Sequence, residues 1–135
     1  MTVYNLKTIV NQVIGKKIVK FTGFAEGAEE AAIHFYDGTS LRFYHHHDCC
    51  EDVRVAQVDG DTKRMINSFI LDIEEKVVDI SETAEVYESG TATFYTITTF
   101  KGRIDMRWVG ESNGYYSEDV NIEYMSKSFE DGLDD

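Results

Sequence analysis

A chain of 135 residues has the length of one domain, and at that size folding buries roughly two-thirds of the unfolded surface, enough for a core without staples. Hydrophobic residues make up 42% and aromatic residues 13% of it, which excludes a disordered chain as the default, and no apolar run approaches the roughly 20 residues of a membrane span. The net charge of -12 disfavours direct contact with nucleic acid, whose phosphates call for Lys and Arg, and fits a soluble protein, a basic partner or mimicry of nucleic acid.

The opening MTVYNLKTIVNQVIGKK has no basic segment followed by an unbroken apolar stretch, so a secretory signal is not expected and a cytosolic location is. Leu6, Ile9, Val10 and Val13 recur at helical spacing between Asn5, a candidate N-cap, and Gly15, a candidate stop. Residues 16–25 read as a strand. Residues 31–44 read as a hairpin turning at Asp37-Gly38, where a positive φ is needed. Val53, Val55 and Val58 indicate a further strand ending at Asp59-Gly60, and Asp61 can cap a helical turn over Thr62–Asn67. ILDIEEKVVDI (residues 70–80) is ambiguous: Ile70, Ile73 and Val77 fit a helix, and KVVDI fits a strand. Residues 82–90, with their acids, Ser89 and Gly90, read as a loop.

The last third is rich in Thr, Phe, Tyr and Ile, all strand formers. Residues 92–100, 103–109 and 115–125 are expected to be consecutive antiparallel strands turning at Lys101-Gly102 and Asn113-Gly114, a β-meander. The fold class is therefore α+β: a mainly antiparallel sheet with a C-terminal three-stranded meander and the N-terminal helix packed on it. One domain is expected over residues 1–125, followed by an acidic tail over 126–135 carrying Glu130, Asp131, Asp134 and Asp135.

Two clusters hold the unusual chemistry. In the first, His45-His46-His47-Asp48-Cys49-Cys50-Glu51, the ligand types for zinc are present but consecutive. Neighbours on an extended segment point to opposite faces, and no second pair at CxxC or HxxxH spacing occurs. No metal is expected. The structural reading is a strand end where one Cys packs in the core and Asp48 or Glu51 caps backbone. Adjacent cysteines cannot form an ordinary disulfide staple with each other without strained local geometry, so both are expected as reduced thiols. In the second, Arg107-Trp108 through Glu118, two glycines and Tyr115 and Tyr116 sit with Glu111, Asn113 and other polar residues at a turn. Such a loop offers an aromatic surface, backbone donors and a cation, the parts of a pocket for a nucleotide or another planar, charged ligand. It is equally an ordinary hairpin. No GxSxG elbow and no GxxxxGK phosphate loop occurs, so an enzyme is not expected.

The H-x-x-D-C-C-E segment (His45, Asp48, Cys49, Cys50, Glu51), the G-T-x-T-F-Y strand (Gly90, Thr91, Thr93, Phe94, Tyr95) and the G-E-S-N-G-Y-Y-S-E segment (Gly110 through Glu118) together resemble a small family of phage, prophage and bacterial proteins catalogued as a domain of unknown function. The resemblance spans roughly residues 12–124. The triple histidine departs from it, since the family has one histidine followed by polar residues, and this weakens a role for His46 or His47. The resemblance implies a phage-associated accessory protein in the bacterial cytosol, of a kind that counters host defence. On this reading a small nucleotide-like signalling ligand is sequestered by His45, Asp48, Cys49, Glu51, Arg107, Trp108, Glu111, Asn113, Tyr115 and Tyr116, without cofactor, membrane or direct nucleic-acid contact. A homo-oligomer and a host defence protein are the further partners it admits. The alternatives are an acidic nucleic-acid mimic or protein–protein inhibitor of a defence enzyme, and a metal-dependent hydrolase. The two clusters are expected to lie side by side around one concave site.

Overall fold

The computed structural model describes residues 6–81, 83 and 88–126. The expected cap at Asn5 and the acidic tail from residue 127 onward lie outside these residues. Chain order is α1 (Leu6–Val13), β1 (Ile18–Thr22), β2 (Glu30–Phe35), β3 (Ser40–Tyr44), β4 (Asp52–Asp59), α2 (Thr62–Met65), β5 (Ile70–Asp79), β6 (Ser89–Thr99), β7 (Gly102–Ser112) and β8 (Asn121–Met125). The strands form two four-stranded antiparallel sheets, ordered β1-β2-β3-β8 and β4-β7-β6-β5.

The alternation seen in the sequence sets which side of each strand faces inward. Ile33, Leu41 and Phe43 of the first sheet and Val55, Tyr95, Ile97, Ile104, Met106 and Trp108 of the second are fully or almost fully buried in one cluster. Phe43 meets Tyr95 edge to face between the sheets, ring centroids 5.0 Å apart. Helix α1 buries Val10 and Val13 and lies against β8 of one sheet and β5 of the other. Asp61 caps α2 by accepting from the Lys63 amide at 3.0 Å, as its position before the turn predicts. At the β2–β3 turn Gly38 has φ +89°, and Asp37 Oδ1 accepts from the Thr39 amide at 3.0 Å.

One ambiguity is resolved and two expectations are corrected. Residues 70–79 are a strand: the segment pairs along β6 from Ile70↔Thr99 to Asp79↔Thr91, and this ladder outweighs the helical spacing of its apolar residues. Of the expected loop 82–90, Ser89 and Gly90 already belong to β6; residues 82 and 84–87 lie outside the described part. The C-terminal meander does not form. β6 and β7 pair as expected, but residues 113–120 are irregular and β8 pairs with β3 in the other sheet, from Ser40↔Met125 to Tyr44↔Asn121. Asn113-Gly114 is a turn, with Gly114 at φ +92°, that sends the chain across the end of the domain rather than back along β7. The crossing passes directly over Gly110, where a Cβ would stand 2.6 Å from the Glu118 carbonyl oxygen. Val120 and Ile122 then enter the shared core.

Candidate functional site

The crossing brings the two unusual segments together. β4 begins just after the His45–Glu51 segment, and its pairing with β7 places Asp52 opposite Glu111 and Val53 opposite Gly110. The side chain of Glu51 is fully buried. Its Oε2 accepts from the Asp48 amide at 2.8 Å and lies 2.7 Å from His45 Nε2, while Oε1 accepts from the Cys49 amide at 2.8 Å. Burial pushes the Glu51 carboxyl up, but the hydrogen bonds from His45 and from the amides of Cys49 and Asp48 overcome it and hold the group well below its ordinary 4.5. Glu51 therefore takes the capping role expected of Asp48 or Glu51, turning the four residues before it into a closed loop.

His45 reaches in both directions. Its Nε2 faces Glu51, and its Nδ1 donates to the Asp119 carbonyl at 2.7 Å. Asn121 Oδ1 accepts from the His46 amide at 2.9 Å. On the other side Glu118, also buried, accepts from Thr91 Oγ1 at 2.7 Å and from Ser112 Oγ at 2.5 Å. The first motif is thus bonded to Asp119 and Asn121, just beyond the end of the second, and the two form one block with a buried carboxylate, Glu51 or Glu118, in each half.

Cys49 and Cys50 are both exposed and are joined to each other by a disulfide. This corrects the expectation of two reduced thiols and of one cysteine in the core: the closed loop brings the neighbouring sulfurs together on the outside of the block. Among the described residues no three of His, Cys, Asp and Glu are grouped as a metal ion would require.

A cleft of about 350 Å³ opens where the segments join, lined by Cys50, Asp52, Glu88, Glu111, Ser112 and Asn113, a size within the usual range of small-molecule sites. Arg54 Nη1 bridges Asp52 (3.2 Å) and Glu111 (3.1 Å). A smaller hollow of about 90 Å³ lies beside Glu51, lined by Glu29, His45, His47 and Val53. Of the residues expected at a site, Glu111 and Asn113 line the larger cleft. His45, Asp48, Cys49 and Glu51 build the loop behind it. Tyr115 is 83% exposed and stacks edge-on with Tyr116 at 5.1 Å on the crossing that follows Asn113. Two are placed elsewhere. Trp108 is fully buried between the sheets, its indole Nε1 without a hydrogen-bond partner among the described residues. Arg107 lies four positions along β7 from Glu111, opposite Gln57 of β4 and Phe94 of β6.

Sequence reasoning missed Cys50, Asp52, Arg54, Glu88, Thr91, Ser112, Glu118 and the Asp119 carbonyl as site groups. Cys50, Thr91, Ser112 and Glu118 lay inside quoted motifs. The others are set by the register of β4 on β7 and by the path of the crossing, which local spacing does not encode.

What the strands and this block define is an antiparallel two-sheet α+β domain whose sheets are tied together at one end by two buried, hydrogen-bonded carboxylates. The chain belongs to the family described as Domain of unknown function (DUF7448), which matches residues 11–122. Neither a curated protein nor a solved structure matches it. The matched span contains both motif segments and all eight strands except the end of β8. No helix among the described residues is long and apolar enough to cross a membrane.

Proposed function

We propose that this chain is a phage-associated accessory protein that acts by binding rather than by catalysis, sequestering a small nucleotide-like host signalling ligand in the bacterial cytosol. The observation that carries the reading is the junction itself. Two segments about sixty residues apart in sequence hold most of the unusual side chains; the first is bonded to Asp119, directly after the second, and both line an open cleft. A fold needs neither an exposed Tyr115 nor a polar cleft at such a junction.

The lining narrows the chemistry. Asp52, Glu88 and Glu111 line the cleft, and Arg54 pairs with two of them, Asp52 and Glu111, so the local field repels phosphate. Carboxylates, Ser112 and Asn113 suit hydrogen-bond donors instead: exocyclic amines and sugar hydroxyls. The nucleoside end of such a ligand enters here, with its phosphates directed away.

Calorimetric titration with a panel of nucleosides, linear nucleotides and cyclic nucleotides tests this, using the wild type, Glu111→Gln and Asn113→Ala. Both substitutions sit on the cleft rim, outside the core. Saturable binding that weakens about tenfold in each variant, the loss of one hydrogen bond to a charged or amide group, supports the reading. Binding indifferent to both variants sinks it.

A further inference from the structure

The outward face of the β4-β7-β6-β5 sheet carries a second arrangement that neither motif block uses. Directly opposite residues on antiparallel strands share a face. Pairing therefore aligns Lys76 of β5, Phe94 of β6, Arg107 of β7 and Gln57 of β4 in one row across all four strands. Phe94 is a large aromatic on a central strand, yet 37% of it is exposed; its inward neighbours Thr93 and Tyr95 are buried. It is flanked on both sides by a cation, in a chain whose net charge is -12. A cleft of about 210 Å³ opens over the Phe94–Arg107–Gln57 part of this row, lined also by Asp59 and Asp105, with Lys76 on the far side of Phe94. Asp105 accepts from Thr96 Oγ1 at 2.9 Å and from Arg103 Nε at 3.1 Å, and Asp59 accepts from Gln57 Nε2 at 3.2 Å, so the neighbouring carboxylates are fixed in place.

We infer that this row is a binding platform for a nucleotide: the base stacks on Phe94, the phosphate is held by Arg107 on the cleft side with Lys76 adding positive charge across the ring, and the sugar hydroxyls donate to Asp59 or Asp105. An open sheet face with a central aromatic and flanking cations is suited to a planar anion, because every base has a face to stack and every phosphate calls for a cation. The platform supplies what the acidic cleft at the junction lacks. It rests on the reading of the chain as a binder of nucleotide-like ligands, and it does not require the cleft.

Titration of the full chain with adenosine monophosphate, adenosine and inorganic phosphate decides it. Phe94→Ala, Phe94→Tyr and the double variant Lys76→Ala/Arg107→Ala are compared with wild type, each first shown to keep its thermal midpoint within a few degrees. The expected result is saturable binding of the monophosphate, weakened about tenfold or more by Phe94→Ala, restored by Phe94→Tyr, and lost with its salt dependence in the double variant. Adenosine and phosphate alone bind more weakly than the two joined. Absence of monophosphate binding by the wild type, or binding untouched by Phe94→Ala, overturns the platform. If binding is instead lost only in Glu111→Gln and Asn113→Ala, the platform falls while the cleft stands; if only the platform variants lose it, the cleft falls and the platform stands.

Discussion

Gly110 is the tightest point of the junction and the best place to break it. A methyl group there stands 2.6 Å from the Glu118 carbonyl oxygen, 2.9 Å from Glu118 Cβ and 3.2 Å from Val53 Cγ2. The first of these is backbone and cannot rotate away, so Gly110→Ala must push the 117–120 crossing off β7. Overpacking of this kind costs about 1–3 kcal/mol, and displacing Glu118 also strains its bonds to Thr91 and Ser112, which places the substitution in the upper part of that range. With an unfolding entropy of about 2.1 cal/mol/K per residue, 135 residues give about 0.28 kcal/mol per kelvin, so a loss of about 2–3 kcal/mol lowers the thermal midpoint by roughly 7–10 °C. Thermal melts followed by circular dichroism, with urea melts to check that the slope is unchanged, measure it. A midpoint within about 1 °C of wild type would refute the claim that the crossing is seated on Gly110.

Acid provides a second test. The folded-state pKa of Glu51 lies below its ordinary 4.5, so its contribution is full above that pH and is lost as the pH falls below it; urea midpoints from pH 7 to pH 3 should fall less steeply in Glu51→Gln than in wild type. Asp37, held down to about 2 by Lys16 and by the Thr39 hydroxyl and amide, contributes in the same sense between its ordinary 3.8 and about 2, and Asp37→Asn should remove that part of the acid sensitivity. The Cys49–Cys50 pair is exposed while Glu51 holds the loop backbone, so Cys49→Ser/Cys50→Ser should leave the thermal midpoint within about 2 °C; a larger drop would mean that the disulfide, not Glu51, holds the loop. Neutralising Glu130, Asp131, Asp134 and Asp135 together should leave ligand binding intact. If that change abolishes activity, or if activity fades with added salt as screening of a charged interface demands, an acidic inhibitor of a basic partner replaces the ligand-binding account.

Most strands were legible because their alternation is strong: Ile104, Met106 and Trp108 against Asp105 and Arg107 could hardly be anything else. What alternation does not encode is the partner. Val120 and Ile122 alternate equally well beside β7 or beside β3, and it was the turn at Asn113-Gly114 that misled, because a strong turn signal says where the chain bends and not which sheet it joins. β5 was ambiguous because Ile70, Ile73 and Val77 fit the helical period while residues 76–80 fit a strand, and only the ladder to β6, with a bulge between Ile70 and Asp72 that lets both Ile70 and Ile73 face inward, resolves it. At the site, the concentration of rare residues in two segments did foretell that they meet. It did not foretell that Glu51 and Glu118 are spent inside the block, that Trp108 is core, or that Arg107 faces a different part of the surface, since each depends on the register of β7 between its two neighbours.

The central claim, that the junction of the two motif segments binds a small nucleotide-like ligand, is tested most directly by native mass spectrometry of the protein purified from bacterial cells. A bound small molecule is predicted, released on denaturation, showing the ultraviolet absorbance of a nucleobase, and depleted in Glu111→Gln and Asn113→Ala. A bare polypeptide mass from those cells, or an adduct retained equally by both variants, would contradict it.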